Sequence, residues 1–215
     1  MPLYTTDALI LRSYALGESD RLVVFLTRDR GKKRGVAKNA RQSRRRFGGA
    51  LEPLTCGRVA YLERERRDLV RIDYVEVTRS PLSAADGEAL GYVGYFAELI
   101  DEWAQDADPN ESLFRLGASL VEAMAMGVPI DRLARYFEHW LMRLQGVYEP
   151  DERLSPEAQA FLGAARTASP LTLGDLTVST RVLRELEAAH RELISRHLEK
   201  DLKSARVLRE MTNRT

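Results

Sequence analysis

The densest group of reactive side chains in this sequence is cationic. Nine lysines and arginines, without one acid, lie within residues 30–46: Arg30, Lys32, Lys33, Arg34, Lys38, Arg41, Arg44, Arg45 and Arg46. Such side chains neutralise phosphates and release the counterions condensed on a nucleic acid. Their mutual repulsion also disfavours burial. This basic run therefore predicts a contact with phosphate groups, and the alternative is an exposed hairpin that is basic without a partner.

Aromatic rings near these cations would add stacking to charge neutralisation. Small β-barrels bind single strands with a basic groove and a few rings on which bases stack. Tyr14, Phe25, Phe47 and Tyr61 lie among the basic segments. Phe25 lies inside the apolar run "LVVFL", so a place in the barrel core is favoured over stacking on a base. Phe47 directly follows three arginines and precedes two glycines, so it is the ring that we expect to stack on a base.

Other reactive groups do not form a catalytic pattern. Glu98, Asp101 and Glu102 share one helix face and could hold Mg²⁺, but no partner with catalytic spacing accompanies them. A solvated acidic face is therefore favoured. The histidines at 139, 190 and 197 lack metal-ligand spacing, and the glycines beside the lysines lack the Walker A spacing. We expect no catalytic residue, no metal and no cofactor.

The totals indicate a globular protein with two parts of opposite charge. The 215 residues are 44% hydrophobic, enough for one good core or two small ones. Residues 1–80 hold 18 basic and 10 acidic side chains, net +8, and residues 81–215 hold 15 and 22, net −7. Cys56 is the only cysteine, and no segment resembles a leader peptide or a membrane span. We expect a cytoplasmic protein without membrane contact.

The elements that position the basic run are short strands. Five runs rich in β-branched and aromatic residues lie at 7–14, 21–28, 35–40, 57–64 and 69–78. In the last run, Val70 and Ile72 alternate with Arg71 and Asp73, as in a half-buried strand. This inventory predicts a small β-barrel, either an OB-fold or an SH3-like barrel. The basic run is then a hairpin-like arm between the second and fourth strands.

After residue 80 the hydrophobic period changes from 2 to 3.6, which predicts five or six helices. One helix is expected to begin with Asp108 as its N-cap, and another to fill residues 129–146, between a proline and a glycine. The last helical segment is expected to break near residues 199–204. The predicted fold class is α+β, with a small β-barrel (OB-fold) over residues 1–80 and an all-α domain over residues 81–215.

Three segments, read together, resemble the bacterial recombination mediators of the RecO family. "ALILRSYALGESDRLVVFLTRDRGKKRGVAKNARQS" (8–43) is similar to the opening of that family, "YFAELIDEW" (95–103) to its helical-domain entry and "LEKDLKSARVL" (198–208) to its ending. Within the first segment the similarity lies in Leu9 to Leu11, Gly17, Glu18, Asp20, Leu22, Thr27, Gly31 and the stretch Ala37 to Arg41. The resemblance covers both ends and the middle of the chain, and it favours the OB-fold.

The resemblance implies a non-enzymatic mediator of DNA repair that acts in the nucleoid. Proteins of this family bind single- and double-stranded DNA, anneal complementary strands, and work with RecR and the single-strand-binding protein SSB to load RecA. Many relatives carry a four-cysteine zinc module after the helix that ends here near residue 146, where this chain has no cysteine. The alternatives are a protein-interaction adaptor and an RNA-binding OB-fold protein without annealing activity.

Two further contacts are predicted in the helical domain. With the family in mind, the polar side of the helix at 129–146 suggests a pocket for the acidic, Phe-ended tail of SSB, formed by Arg132, Arg135, Tyr136, His139 and Arg143. A solvated face is the alternative. Near the end of the chain, a stripe of cations predicts a secondary DNA contact or packing onto the barrel: Lys200, Lys203, Arg206 and Arg209.

Overall fold

The first part of the chain folds into a closed barrel. The computed structural model describes residues 2–63, 68–83, 87–200 and 202–212. Its strands are β1 (Leu3–Leu16), β2 (Asp20–Thr27), β3 (Gly31–Ala37), β4 (Cys56–Leu62) and β5 (Leu69–Arg79). The barrel closes in the order β1-β2-β3-β5-β4, with β4 paired to β1. Only the β3–β5 pair among these strands is parallel. The predicted barrel and the α+β class are confirmed.

Alternation along the strands fills the barrel. Residues two apart in a strand share a face, so every second side chain points inward. Val23 and Phe25 of β2, Val59 and Tyr61 of β4, and Ile72 of β5 are each at most 1% exposed and belong to one core cluster. Burying side chains of this size contributes about 1.5–3 kcal/mol each. The barrel is therefore stabilised by its own interior.

The basic run is not a hairpin-like arm, so that prediction was wrong. Its first half is β3 itself, and the second half continues through turns into the short helix α1 (Arg44–Phe47). Strand β3 tolerates its charges because small residues, Gly35 and Ala37, occupy buried positions. The cations at 32 and 34 therefore alternate with residues that face the barrel. The polar composition of residues 63–68, between β4 and β5, predicts a hairpin, but residues 64–67 lie outside the described residues.

Six helices follow in the described residues: α2 (Gly87–Trp103), α3 (Glu111–Ala125), α4 (Ile130–Leu144), α5 (Pro156–Ala165), α6 (Thr180–Leu198) and α7 (Lys203–Thr212). The expected N-cap at Asp108 was wrong, because the Asn110 side chain accepts the backbone N–H of Leu113 at 2.9 Å instead. The boundaries near Pro129 and Gly146 and the break between α6 and α7 are confirmed. Glu199 ends α6 in the left-handed region, with φ 52°.

The chain divides into two compact units that do not follow the change of secondary structure. Unit 1 comprises Met1–Pro81 with Phe96–Val121, and unit 2 comprises Leu82–Tyr95 with Glu122–Thr215. The end of α2 and most of α3 therefore pack with the barrel, where Gly117 of α3 leaves room for Leu9 of β1. None of the helices in the described residues has the length and hydropathy that a membrane span requires.

Candidate nucleic-acid interface

Successive cations of strand β3 point to opposite faces of the sheet. Lys32 lies on the outside of the barrel, but its side chain is only 11% exposed. Its ammonium group lies 3.2 Å from the Asp101 carboxylate and donates to the Asp101 carbonyl at 2.8 Å. Lys33 is 14% exposed and lies 2.9 Å from Glu63. Both lysines were predicted to contact DNA, and the structure instead pairs them with acids inside unit 1.

The Asp101 carboxylate also binds a second cation of the barrel. Arg12 of β1 places Nε 2.6 Å from Asp101 Oδ2 and Nη2 3.2 Å from Glu102. Two of the three acids considered as a Mg²⁺ site, Asp101 and Glu102, are therefore engaged in ion pairs with the barrel. Among the described residues, no group of three histidine, cysteine, aspartate or glutamate side chains is placed to hold a metal.

The remaining cations of the basic run are more accessible. Arg34 is 54% exposed and lies 3.6 Å from the exposed Asp106 carboxylate. Lys38 and Arg41 are exposed in the turns after β3. Arg41 donates to the carbonyl of Glu18 at 3.0 Å, and Arg46 to that of Lys38 at 2.8 Å. A carbonyl fixes the position of a guanidinium without neutralising its charge, so both arginines keep a full charge for a phosphate.

Two predicted contacts at the edges of the run have other roles. Phe47 is 3% exposed and belongs to the barrel core, so its expected exposure to a base was wrong. The short α1 turns this ring inward, and Arg46 lies over it at 5.0 Å. Arg30 lies 3.9 Å from the centre of the Tyr4 ring, a cation–π contact. The side chains of Arg44 and Arg45 lie outside the described residues.

The register assembles an exposed ring and further cations on one outer face of the barrel. Tyr14 of β1 is opposite Leu22 of β2, Leu22 is opposite Val36 of β3, and Val36 is opposite Arg71 of β5. Residues directly opposite each other in neighbouring strands share a face of the sheet. Tyr14 is 47% exposed and Arg71 is exposed.

We call this set, together with the neighbouring Arg34, the outer face: Tyr14, Leu22, Arg34, Val36 and Arg71. Tyr14 was among the four rings considered for stacking, but Phe47 was preferred to it, and Arg71 was absent from the predicted contacts. The alternation around Val70 and Ile72 already placed Arg71 outward, but only the register of β5 beside β3 brings it to the basic run. The strand pairing sets the spacing between the backbone positions of the ring and the cations.

In unit 2, the five residues predicted to bind the SSB tail do not form one pocket. Arg132 donates to the carbonyl of Gly174 at 2.6 Å. Arg135 is 3% exposed and Tyr136 is 8% exposed. His139 is 1% exposed, and burial, followed by the nearby charges of His190, Arg143 and Arg166, lowers its pKa to about 4. Only Arg143 of the five is exposed, so the expectation of a shared polar side was wrong.

A buried ionic network explains why α4 has few exposed positions. Glu138, 2% exposed, accepts from Arg135 at 3.0 Å and from the Tyr95 hydroxyl at 2.8 Å, and its other oxygen lies 3.0 Å from His190 Nδ1. Burial by itself would raise the pKa of Glu138, but the charge of Arg135 and the bond from His190 lower it overall. Because the Arg135 and Glu138 side chains neutralise each other, the polar side of α4 can be buried as well.

A cavity of about 320 Å³ beside α4 retains part of the predicted set. Its lining includes His139, Arg143, Tyr148, Leu154, Leu162 and Arg166. The guanidinium carbon of Arg143 lies 6.0 Å from the centre of the Tyr148 ring. Arg166, which the sequence pattern did not single out, adds a second cation beside the apolar side chains. Asp151 and Glu152 also line the cavity, and Asp151 is paired with Arg153 at 2.9 Å. This arrangement suits an anion that carries an apolar group.

The cations near the end of the chain are exposed. Lys200, Lys203 and Arg206 lie at and after the end of α6, and the side chain of Arg209 is outside the described residues. Lys200 lines a cavity of about 510 Å³ with Arg191, Arg196 and the buried Leu202. Their predicted contact with DNA stays a prediction.

A closed five-stranded barrel with the order β1-β2-β3-β5-β4 and a parallel β3–β5 pair, followed by helices, defines an OB-fold protein. Comparison with known families agrees with this class. The family model "Recombination protein O N terminal" matches residues 1–81, and "Recombination protein O C terminal" matches residues 84–151. The chain belongs to the RecO family of DNA repair proteins, as the resemblance had indicated.

Curated relatives named DNA repair protein RecO support the assignment. The Koribacter versatilis protein is 45% identical over 150 residues, which cover 69% of this chain and 61% of the relative. The protein of Anaeromyxobacter sp. (strain K) is 40% identical over 141 residues, or 65% and 55% of the two chains. The chain thus spans less than two thirds of these relatives. The Pelotomaculum thermopropionicum protein is 29% identical over 95% of this chain and 93% of its own.

Proposed function

We propose that this chain binds single-stranded DNA across the outer face of its barrel. The observation that carries the proposal is the register that brings exposed Tyr14 onto the same face as Arg71, beside Arg34. The accessible Lys38, Arg41 and Arg46 continue from the end of β3. Successive bases stack on an aromatic ring while the backbone phosphates are neutralised beside it. The pairing of the strands sets the spacing of ring and cations.

This geometry also supports strand annealing. Complementary strands repel each other through their phosphates, and cations that neutralise one strand lower that repulsion for the second. Binding through phosphates does not depend on strandedness, so double-stranded DNA is bound as well. We infer that the chain acts as a recombination mediator in the nucleoid, with RecR and SSB as partners and RecA loading as the outcome.

The cavity beside α4 is the proposed site for the SSB tail. Arg143 and Arg166 are the cations for its carboxylates, and Leu154 and Leu162 lie where its terminal ring would pack. The role of the other predicted residues, Arg132 and Arg135, is then to hold the helix in place through the contacts already described. Acidic peptides with an apolar end bind to such combinations of arginine and apolar surface.

The experiment that tests DNA binding titrates the full chain with labelled single-stranded DNA, duplex DNA and RNA of the same sequence. We expect binding to both DNAs and faster annealing of complementary strands, including strands coated with SSB. Binding to RNA alone would favour an RNA-binding OB-fold. No binding to any nucleic acid, together with capture of an acidic protein, would favour an adaptor.

A second titration tests the cavity with a labelled peptide of the SSB tail. Replacing Arg166 by Ala should weaken peptide binding by about tenfold, the scale of one charge-assisted contact. Arg181, an exposed arginine on α6, provides the matched control when replaced by Ala. Equal affinities of the two variants would remove the cavity from the proposal.

A further inference from the structure

The backbone of the loop between α2 and α3 is hydrogen-bonded to strand β3. The Lys32 N–H donates to the Gln105 carbonyl at 3.1 Å, and the Ala107 N–H donates to the Lys32 carbonyl at 3.0 Å. These two bonds flank Asp106, which forms an isolated parallel bridge with Lys32. Asp106 is therefore held beside β3 by main-chain bonds, independently of where its side chain points.

The Asp106 carboxylate occupies a position that suits a phosphate oxygen. It lies 3.6 Å from Arg34 and 3.8 Å from Lys32. Lys32 is already bound to Asp101, but Arg34 is 54% exposed and belongs to the outer face. The carboxylate beside this guanidinium and the phosphate of a nucleic-acid backbone would both bind it through a negatively charged oxygen.

The sequence surrounding Asp106 is also acidic and further reduces the positive charge of unit 1. The part of unit 1 formed by residues 96–121 carries six acids and one arginine, net −5, whereas residues 1–81 carry net +8. Unit 1 as a whole therefore has a net charge of +3. The acidic segment that packs with the barrel offsets most of the positive charge that attracts DNA.

We propose that Asp106 is an internal competitor for the phosphate contact of Arg34 and thereby weakens and tunes single-strand binding at the outer face. This inference rests on the proposed DNA binding. An exposed ion pair such as Arg34–Asp106 is weak and readily exchanged, so an incoming phosphate can displace the carboxylate. The competition sets how tightly a strand is held and so how readily it is passed on.

The test replaces Asp106 by Asn in the full chain and measures affinity for labelled oligothymidylate by fluorescence anisotropy. Asn keeps the size of the side chain and removes its charge. We expect D106N to bind about two- to five-fold more tightly at low salt, the range that one exposed ion pair provides. The gain should shrink at higher salt, because screening weakens the pair in both proteins.

Two further variants separate the competition from a general effect of charge. Glu76→Gln changes the net charge equally at an exposed position of β5 that pairs with Arg58, and it should leave the affinity near that of wild type. In an Arg34→Ala background, D106N should give no gain, because the two changes share one contact.

The outcomes distinguish this inference from the proposed function. If wild type binds DNA and D106N does not differ from E76Q, the competition is wrong and DNA binding stands. A gain from D106N that persists without Arg34 also overturns the competition. If no variant binds DNA, the proposed function and the inference fall together.

Discussion

At the scale of single residues, exposure decides which cations can meet a ligand. Lys32 and Arg34 are two positions apart in one strand, yet Lys32 is 11% exposed and bound to Asp101, whereas Arg34 is 54% exposed. The same contrast holds for aromatic rings, since Phe47 is buried and Tyr14 is 47% exposed. Residue type suggests a contact, but accessibility selects the residues that make it.

Tyr14 is the ring that we expect to stack on a base. Replacing it by Ala should weaken single-strand binding about tenfold, because stacking contributes about 1–3 kcal/mol per base. Phe should retain the affinity, since the hydroxyl receives only a 3.4 Å bond from Arg12. Anisotropy titration measures the change. Tyr74→Ala is the control, an equal truncation at a 39% exposed tyrosine of β5; an equal loss there would contradict the assignment.

His139 should make stability depend on pH. Its pKa is lowered to about 4 from 6.5, so below pH 6.5 the unfolded chain binds a proton that the folded chain does not. Stability contributed by the neutral ring is therefore full above pH 6.5 and is lost as pH falls towards about 4. Between about pH 6.5 and pH 5 the loss should be about 2 kcal/mol.

Urea unfolding at several pH values measures this dependence. The variant His139→Leu lacks the titrating ring and should lose less stability over the same range than wild type does. Parallel pH profiles for the two proteins would show that His139 is not the group responsible.

At the scale of elements, the backbone at Gly31 lies directly against the loop between α2 and α3. Gly31 begins β3 with φ +66°, in the left-handed region that favours glycine. A Cβ at this position would lie 2.6 Å from the backbone carbon of Asp108. Glycine is therefore required twice, for the turn into β3 and for the close approach of the loop between α2 and α3.

Gly31→Ala should destabilise the protein more than the same change in an open turn. Gly17 has φ +63° and no atom near the added Cβ, so Gly17→Ala should lower the free energy of unfolding by about 1 kcal/mol. Gly31→Ala adds a backbone clash and should cost about 2–4 kcal/mol. Chemical denaturation measures both; similar values would show that the loop yields without cost.

At the scale of the whole molecule, charge is distributed differently from what the linear sequence indicates. Residues 1–80 and 81–215 carry net +8 and −7, but the compact units carry +3 and −2. The difference arises because an acidic segment, residues 96–121, packs with the barrel. The net positive charge of unit 1 is thus smaller than the basic run suggests, so local contacts matter more for the proposed DNA binding.

The salt dependence of binding should count those local contacts. Five accessible cations, Arg34, Lys38, Arg41, Arg46 and Arg71, predict a slope of log affinity against log salt of about −3.5, at about −0.7 per phosphate on a single strand. Replacing Lys38, Arg41 and Arg71 together by Ala should reduce its magnitude by about 2. Titrations between about 50 and 200 mM salt measure the slope.

The control for the salt dependence is a triple Ala variant of Arg153, Arg181 and Arg196, exposed arginines of unit 2. It changes the net charge by the same amount. An equal fall in slope for both triple variants would show that net charge, rather than contacts at the outer face and in the turns after β3, governs binding.

The sequence by itself determined the fold class and the family. Hydrophobic periods of 2 and 3.6 follow from local geometry, so they identified the barrel strands and the helices without tertiary information. The density of cations is read directly from the sequence. The helix between Pro129 and Gly146 was predictable for the same reason, because its start and stop signals are local.

Only the tertiary structure decided which of these residues are available. The pairing of Lys32 with Asp101, the burial of Phe47 and Arg135, and the position of Arg71 beside β3 join segments that are distant in sequence. Accessibility and charge compensation depend on such neighbours, whereas periodicity does not. The sequence therefore identified the basic run, and tertiary packing determined that half of this run is strand β3 and which of its charges remain accessible.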